Sequence, residues 1–68
     1  MKDIAIQFGK NVRTRRKFLG ISQDKLALKA NIDRSYAGRI ERGEVNITLE
    51  KAYSLATILE CDIRQLLP

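Results

Sequence analysis

Within Ser22–Arg42, two short runs of helical periodicity are separated by only three residues, Ala30-Asn31-Ile32. So tight a connection cannot reverse the chain, so the two helices must cross steeply rather than lie antiparallel. A steep crossing needs a small side chain at the point of approach, and Ala27 supplies one. The second helix needs apolar anchors on its inner side, and Ala37 and Ile40 supply those. Local chemistry agrees with these boundaries. Ser22 suits an N-cap, with Asp24 in the first turn. Asn31 tolerates the left-handed conformation that ends a helix abruptly. Asp33 can cap the next helix, residues 33–42, and Gly43 can end it.

The flanking sequence is helical too. Ile4, Phe8, Val12 and Leu19 mark one face of a first helix, residues 3–19, which Gly20 stops; Arg16 falls on that same apolar stripe. Thr48 can cap a fourth helix with Leu49, Ala52, Tyr53, Ala56 and Leu59 facing inward. Asp62 can cap a short final one carrying Ile63, Leu66 and Leu67. No strand alternation, repeat or linker interrupts this pattern. The expectation is a single all-α domain over residues 1–68, built from five helices.

Composition narrows what such a domain can do. A chain of 68 residues buries only about 60% of its unfolded surface, which leaves little room for a second domain or an enclosed active site. Histidine is absent, which removes imidazole bases and His-ligated metals. The lone Cys61 can neither close an internal disulfide nor hold a thiolate metal site, and it fits a reducing cytoplasm. The four glycines, at 9, 20, 38 and 43, are too scattered for a phosphate loop. No apolar run reaches the ~18 residues of a membrane span, and the N-terminus lacks a secretory apolar core. No enzyme activity, metal, cofactor or membrane partner is therefore expected.

Charge points to a polyanion. The net charge is +5 and the pI about 9.8, in the range of nucleic-acid-binding domains. Residues 1–42 hold eleven basic and four acidic side chains, residues 43–68 two basic and four acidic. The helix from Asp33 to Arg42 concentrates the relevant groups. At about 100° per residue, Asp33, Ala37 and Ile40 project inward, while Ser35, Gly38, Arg39 and Arg42 project outward, with Arg34 and Tyr36 on the flanks. This outward face has a hydroxyl and no acid. The DNA major groove, about 12 Å wide, admits such a helix, and arginine reads guanine through a bidentate fork. Gly38 costs helix stability, about 0.5–1 kcal/mol relative to alanine, and closer approach to DNA or to a partner helix is its compensation. A charged helical face is ordinarily just a solvated one. The run Arg13-Thr14-Arg15-Arg16-Lys17 reads that way, with Arg13 or Lys17 attracting phosphates without specificity.

Gln23, Ala27, Asn31, Ile32, Ala37 and Ile40 match the helix-turn-helix spacing of the phage repressor and Cro group, also called the xenobiotic-response-element family. The junction Leu19-Gly20-Ile21-Ser22-Gln23 and the closing Ile40-Glu41-Arg42-Gly43 match as well. The sequence is therefore identified as resembling that family over nearly its whole length, with Asn31 where the family commonly has glycine. Asp33-Arg34-Ser35-Tyr36, Ile40-Glu41-Arg42 and Asn46-Ile47-Thr48 look most like the small controller proteins of restriction–modification systems. The resemblance implies a lambda-repressor-like DNA-binding domain with its helix-turn-helix core at 22–42. It implies base contacts from Arg34, Ser35, Tyr36 and Arg39, and phosphate contacts from Gln23, Arg42 and Asn46. Tyr36 lies near the core boundary, where packing suits it equally, and Gln23 also suits a plain first-turn role. The resemblance further implies a partly buried salt bridge between Arg16 and Glu41.

The last eight residues hold more apolar surface than a core this small easily absorbs, and about 59–68 is expected to be a dimerisation segment. Cys61, Ile63, Leu66 and Leu67 are accordingly expected at a homodimer interface, with a capping role over the core as the alternative. A two-fold dimer spaces two recognition helices about 34 Å apart and reads a palindrome. The expected function is a transcription regulator of the bacterial or phage cytoplasm, binding double-stranded DNA. An antitoxin-type autorepressor and a non-specific basic nucleic-acid module are the alternatives.

Overall fold

The computed structural model describes residues 2–68. Four α-helices run in order: α1 (Lys2–Phe18), α2 (Gln23–Ala30), α3 (Arg34–Glu41) and α4 (Leu49–Ile58). A 3-10 turn follows at Ile63–Gln65, and among the described residues there is no strand. The expected fifth helix is thus a single turn. Asp62 caps it by accepting from the Arg64 N–H, and the N–H groups of Leu66 and Leu67 both fold back on the Ile63 carbonyl.

Helices α2, α3 and α4 each start where a short polar side chain accepts an orphan N–H. The Ser22 hydroxyl accepts from Lys25, the Asp33 carboxylate from Ser35, and the Thr48 hydroxyl from Lys51. Asp33 is therefore an exposed cap and not, as the helical projection has it, an inward residue. At the end of α2, Asn31 takes φ 56° and ψ 44°. Its N–H donates to the Leu28 carbonyl, and the Ile32 N–H donates to the Ala27 carbonyl at 3.0 Å. These bonds close α2 within one residue and turn the chain steeply into α3.

The core lies where α1, α2, α3 and α4 converge. Phe8 and Val12 of α1, Leu26 of α2 and Ile40 of α3 pack with Ala52, Leu55, Ala56 and Leu59. Ala27 and Ala37 are also buried. α1 packs onto the end of α3 backbone to backbone. A Cβ at Gly9 would collide with the Ile40 carbonyl oxygen and lie 2.6 Å from that of Glu41, so no larger residue fits without parting the helices.

The C-terminal segment is drawn onto this core. The Asn11 amide donates to the Leu66 and Leu67 carbonyls at 2.9 and 3.3 Å. Leu66 is wholly buried (0% exposed) and joins the core cluster. Its expected place at a dimer interface is therefore corrected: its side chain fills the protomer's own interior. Cys61 and Ile63 pack partly buried against the same cluster, and Leu67 stays exposed. Arg15 closes the other end of this region, donating to the Leu59 and Glu60 carbonyls at 2.9 and 2.8 Å.

Three residues expected inside are outside. Leu49 (73% exposed), Tyr53 (58%) and Ile4 are on the surface. Ala52, Leu55, Ala56 and Leu59 already fill the α4 side of the core, so Leu49 and Tyr53 fall beyond its edge. Ile4, Leu49 and Leu67 border a shallow, mainly apolar groove.

The αL position of Asn31 can be tested by substitution. Asn31→Gly should leave stability unchanged or slightly raised. Asn31→Val should lower it by about 1–2 kcal/mol, the penalty for a left-handed L-residue, measured by urea denaturation.

Candidate nucleic-acid interface

The orientation of α3 is set from behind by an ion pair. Arg16 Nε lies 2.6 Å from Glu41 Oε2, with side chains only 11% and 3% exposed. Arg16 Nη2 donates to Glu41 Oε1 at 3.1 Å, which completes a two-pronged contact, and Nη1 donates to the Ile21 carbonyl at 3.0 Å. The Gln23 amide adds a third bond to Glu41, at 3.1 Å. One buried carboxylate thus ties α3 to α1 and to the first residue of α2, while Arg16 also holds the loop after α1.

Beside this pair, Gln23, Arg34, Ser35, Gly38, Arg39, Arg42 and Glu44 line one open groove. The structure thereby brings together most of the residues expected to touch DNA. Arg34, Ser35, Arg39 and Arg42 are exposed there. Gly38 forms the floor, buried beneath its neighbours: an added Cβ would meet Arg42 Nη1 at 3.0 Å and Gln23 Oε1 at 3.5 Å. Tyr36 does not line the groove and packs half-buried against the core. Asn46 is exposed, beside the apolar groove rather than this one.

Taken alone, the outward side of α3 carries no carboxylate, but neighbouring elements bring two. Asp24, from the first turn of α2, pairs with Arg34. Glu44, just past α3, accepts from Arg42 Nε and Nη2 at 2.8 and 3.3 Å and lies 4.0 Å from Arg39 Nε. The expected purely cationic face is thus corrected to three guanidiniums, each with a carboxylate within reach. The Arg42 hydrogen bonds hold the Glu44 carboxyl below its ordinary range, so it is charged at neutral pH. Asp33 is likewise lowered, chiefly by the Ser35 hydroxyl that donates to it. No group of three or more His, Cys, Asp or Glu able to hold a metal occurs among the described residues. No described helix is long and apolar enough to cross a membrane.

Helix α1 divides its basic run between three tasks. Arg16 enters the buried pair and Arg15 caps the end of α4 while lying 4.8 Å over the Phe18 ring. Arg13 and Lys17 remain exposed.

Removing one member of a buried pair strands the other. Arg16→Met should lower stability by about 3–5 kcal/mol, read by chemical denaturation. Pairing it with Glu41→Leu should recover most of that loss. If Arg16→Met leaves stability intact while DNA binding collapses, Arg16 is a DNA contact rather than a structural residue.

Comparison with known proteins agrees with this geometry. A helix-turn-helix family model matches residues 12–66. The control protein C.SmaI of Serratia marcescens is 37% identical over 65 residues, covering 96% of this chain and 77% of that protein. The crystal structure of the restriction-modification controller protein C.AhdI from Aeromonas hydrophila superposes with a TM-score of 0.87 at 40% identity, covering 93% of this chain and 91% of that one. Hydroxypropylphosphonic acid epoxidase from S. wedmorenis reaches a TM-score of 0.94 at 23% identity, but the match covers 36% of its chain, a likeness of fold alone. With the model spanning most of the chain and a controller relative aligned almost end to end, the protein belongs to the helix-turn-helix family, the phage-repressor type of DNA-binding regulator that its turn and capping residues resemble.

Proposed function

We propose that α3 enters the major groove of duplex DNA and that the protein regulates transcription as a dimer on a palindromic operator, in the manner of a restriction–modification controller. The observation that carries this reading is the open groove of Gln23, Arg34, Ser35, Gly38, Arg39 and Arg42 along one face of α3. The controller relatives lend it support. Arg34, Ser35 and Arg39 have the exposure and donor chemistry to read base edges, with Tyr36 at their flank. Gln23 and Arg42, which approach each other over Gly38, suit phosphates, and Asn46 extends that set beyond the groove. Arg13 and Lys17 add non-specific attraction. The protein acts as a binding module rather than an enzyme, in the bacterial cytoplasm where its DNA lies.

The dimer surface that fits this fold is the exposed apolar rim of Leu49, Tyr53 and Leu67 beside the shallow groove, with Cys61 and Ile63 near the end of α4. In such a dimer the helix-turn-helix core spans 22–42, and the association segment reaches from α4 into residues 59–68. Sedimentation equilibrium should show self-association of the wild type that Leu49→Glu with Tyr53→Glu abolishes. A wild type that stays monomeric to high micromolar concentration, with and without DNA, excludes the dimer.

Selection from a random duplex pool should return a palindrome with half-sites about 34 Å apart. On that site Arg34→Ala should relax preference at one base position, at a cost of about 1–3 kcal/mol. Arg42→Ala should weaken all duplexes alike and flatten the slope of log affinity against log salt by about 0.9. If the two variants behave identically, the division between base and phosphate contacts is wrong.

A further inference from the structure

We propose that Glu44 determines how sharply this protein separates its operator from other duplex DNA, by occupying the fork of Arg42 as an internal substitute for phosphate. The proposal rests on the reading that the α3 face docks on DNA. Arg42 grips Glu44 through Nε and Nη2, at 2.8 and 3.3 Å. That two-pronged hold is the one arginine offers a phosphate group. Glu44 Oε1 also lies 4.0 Å from Arg39 Nε, so a single carboxylate serves two guanidiniums of the binding groove.

The backbone, more than the ion pair, roots Glu44 there. An exposed pair alone is too weak to fix a residue. Gly43 turns the chain at φ 73°, so close to α1 that a Cβ would fall 2.6 Å from the Ile6 Cα and 2.8 Å from the Ile6 nitrogen. The Gly43 N–H then donates to the Ile40 carbonyl at 3.1 Å, and the Glu44 N–H to the Arg39 carbonyl at 2.9 Å. This closure of α3 places residue 44 on the rim of the groove whichever side chain it carries.

The consequence differs between DNA sequences. Arg42 must release Glu44 before it can take a phosphate, and the freed carboxylate then faces the negative backbone. Every duplex bears phosphates, so every complex meets this cost. Only a site that presents a base-edge donor to the carboxylate, such as the cytosine N4 amino group, returns part of it. Glu44 therefore suppresses non-specific binding more than operator binding.

The test compares wild type, Glu44→Gln, Arg42→Ala and the double variant by fluorescence anisotropy, on the pool-selected operator and on a scrambled duplex of equal length. Circular dichroism establishes that each variant is folded. Glu44→Gln should tighten binding to the scrambled duplex by about two- to fivefold at 0.1 M salt, the scale of an exposed ion pair, and gain less on the operator. In the Arg42→Ala background that gain should largely vanish. Equal gains on both duplexes, no gain on the scrambled one, or an undiminished gain without Arg42 each overturn the proposal. A wild type that binds neither duplex overturns the DNA-binding reading itself, and this proposal with it.

Discussion

The contact between Arg16 and Glu41 governs the geometry of everything else. Both side chains are almost removed from water, and Glu41 is satisfied by two bonds from Arg16 and one from Gln23. A buried pair of this kind adds little net stability over well-packed apolar residues, because desolvation offsets the attraction. Its effect is directional. Glu41 is the last residue of α3, Gln23 the first of α2, and Arg16 sits in the last turn of α1. A rotation of α3 about its axis would pull the carboxylate away from both donors. Arg34, Ser35 and Arg39 consequently face one way, with only exposed contacts of their own to surface carboxylates. Gly9 acts in the same sense, letting α1 press directly on the carbonyls at the end of α3.

With α3 held from behind, its front surface is free for a ligand, and the charge arrangement there changes how binding works. The three arginines of the groove are not bare cations, since Asp24 and Glu44 stand beside them. If α3 docks on DNA as proposed, one set of ion pairs is exchanged for another. The net gain per contact is therefore smaller than a count of arginines implies, while the geometric demand is higher: each guanidinium must find a better partner than the one it leaves. Exposed basic residues away from the groove, Lys10, Arg13 and Lys17 among them, carry no such restriction and suit long-range attraction.

How far the sequence could be read depended on the range of the interaction involved. Caps were legible because they are local: Ser22, Asp33, Thr48 and Asp62 each accept an N–H within three residues. So was Asn31, whose αL geometry needs only its own short side chain. The apolar period located the stripe of α1 that holds Phe8, Val12 and Arg16. Periodicity gives the direction of a face but not the width of the core behind it. That is why Leu49 and Tyr53 read as buried, and why Leu66 read as surplus when it completes the core. Arg15 looked like any member of a basic run, since its partners lie at Leu59 and Glu60, about 45 positions along the chain. Glu44 is hidden by a turn rather than by distance along the chain, since its partners Arg39 and Arg42 are near neighbours. A helical projection of α3 stops at Arg42, and the turn at Gly43 folds the next carboxylate back onto the helix.

The fold alone does not choose the function. The distinction lies in side chains the fold does not need. Phe8, Val12, Leu26, Ile40, Leu55, Leu59 and Leu66 build the core, the caps bound the helices, and Arg16 with Glu41 sets their orientation. Arg34, Ser35 and Arg39 do none of these things: they are exposed, and their own contacts are to surface carboxylates that add little to stability. The division between residues that make the helix-turn-helix and residues that merely ride on it is therefore the division between structure and recognition. Asp24 and Glu44 belong with the second group, since they too are exposed and take no part in the core, the caps or the buried pair.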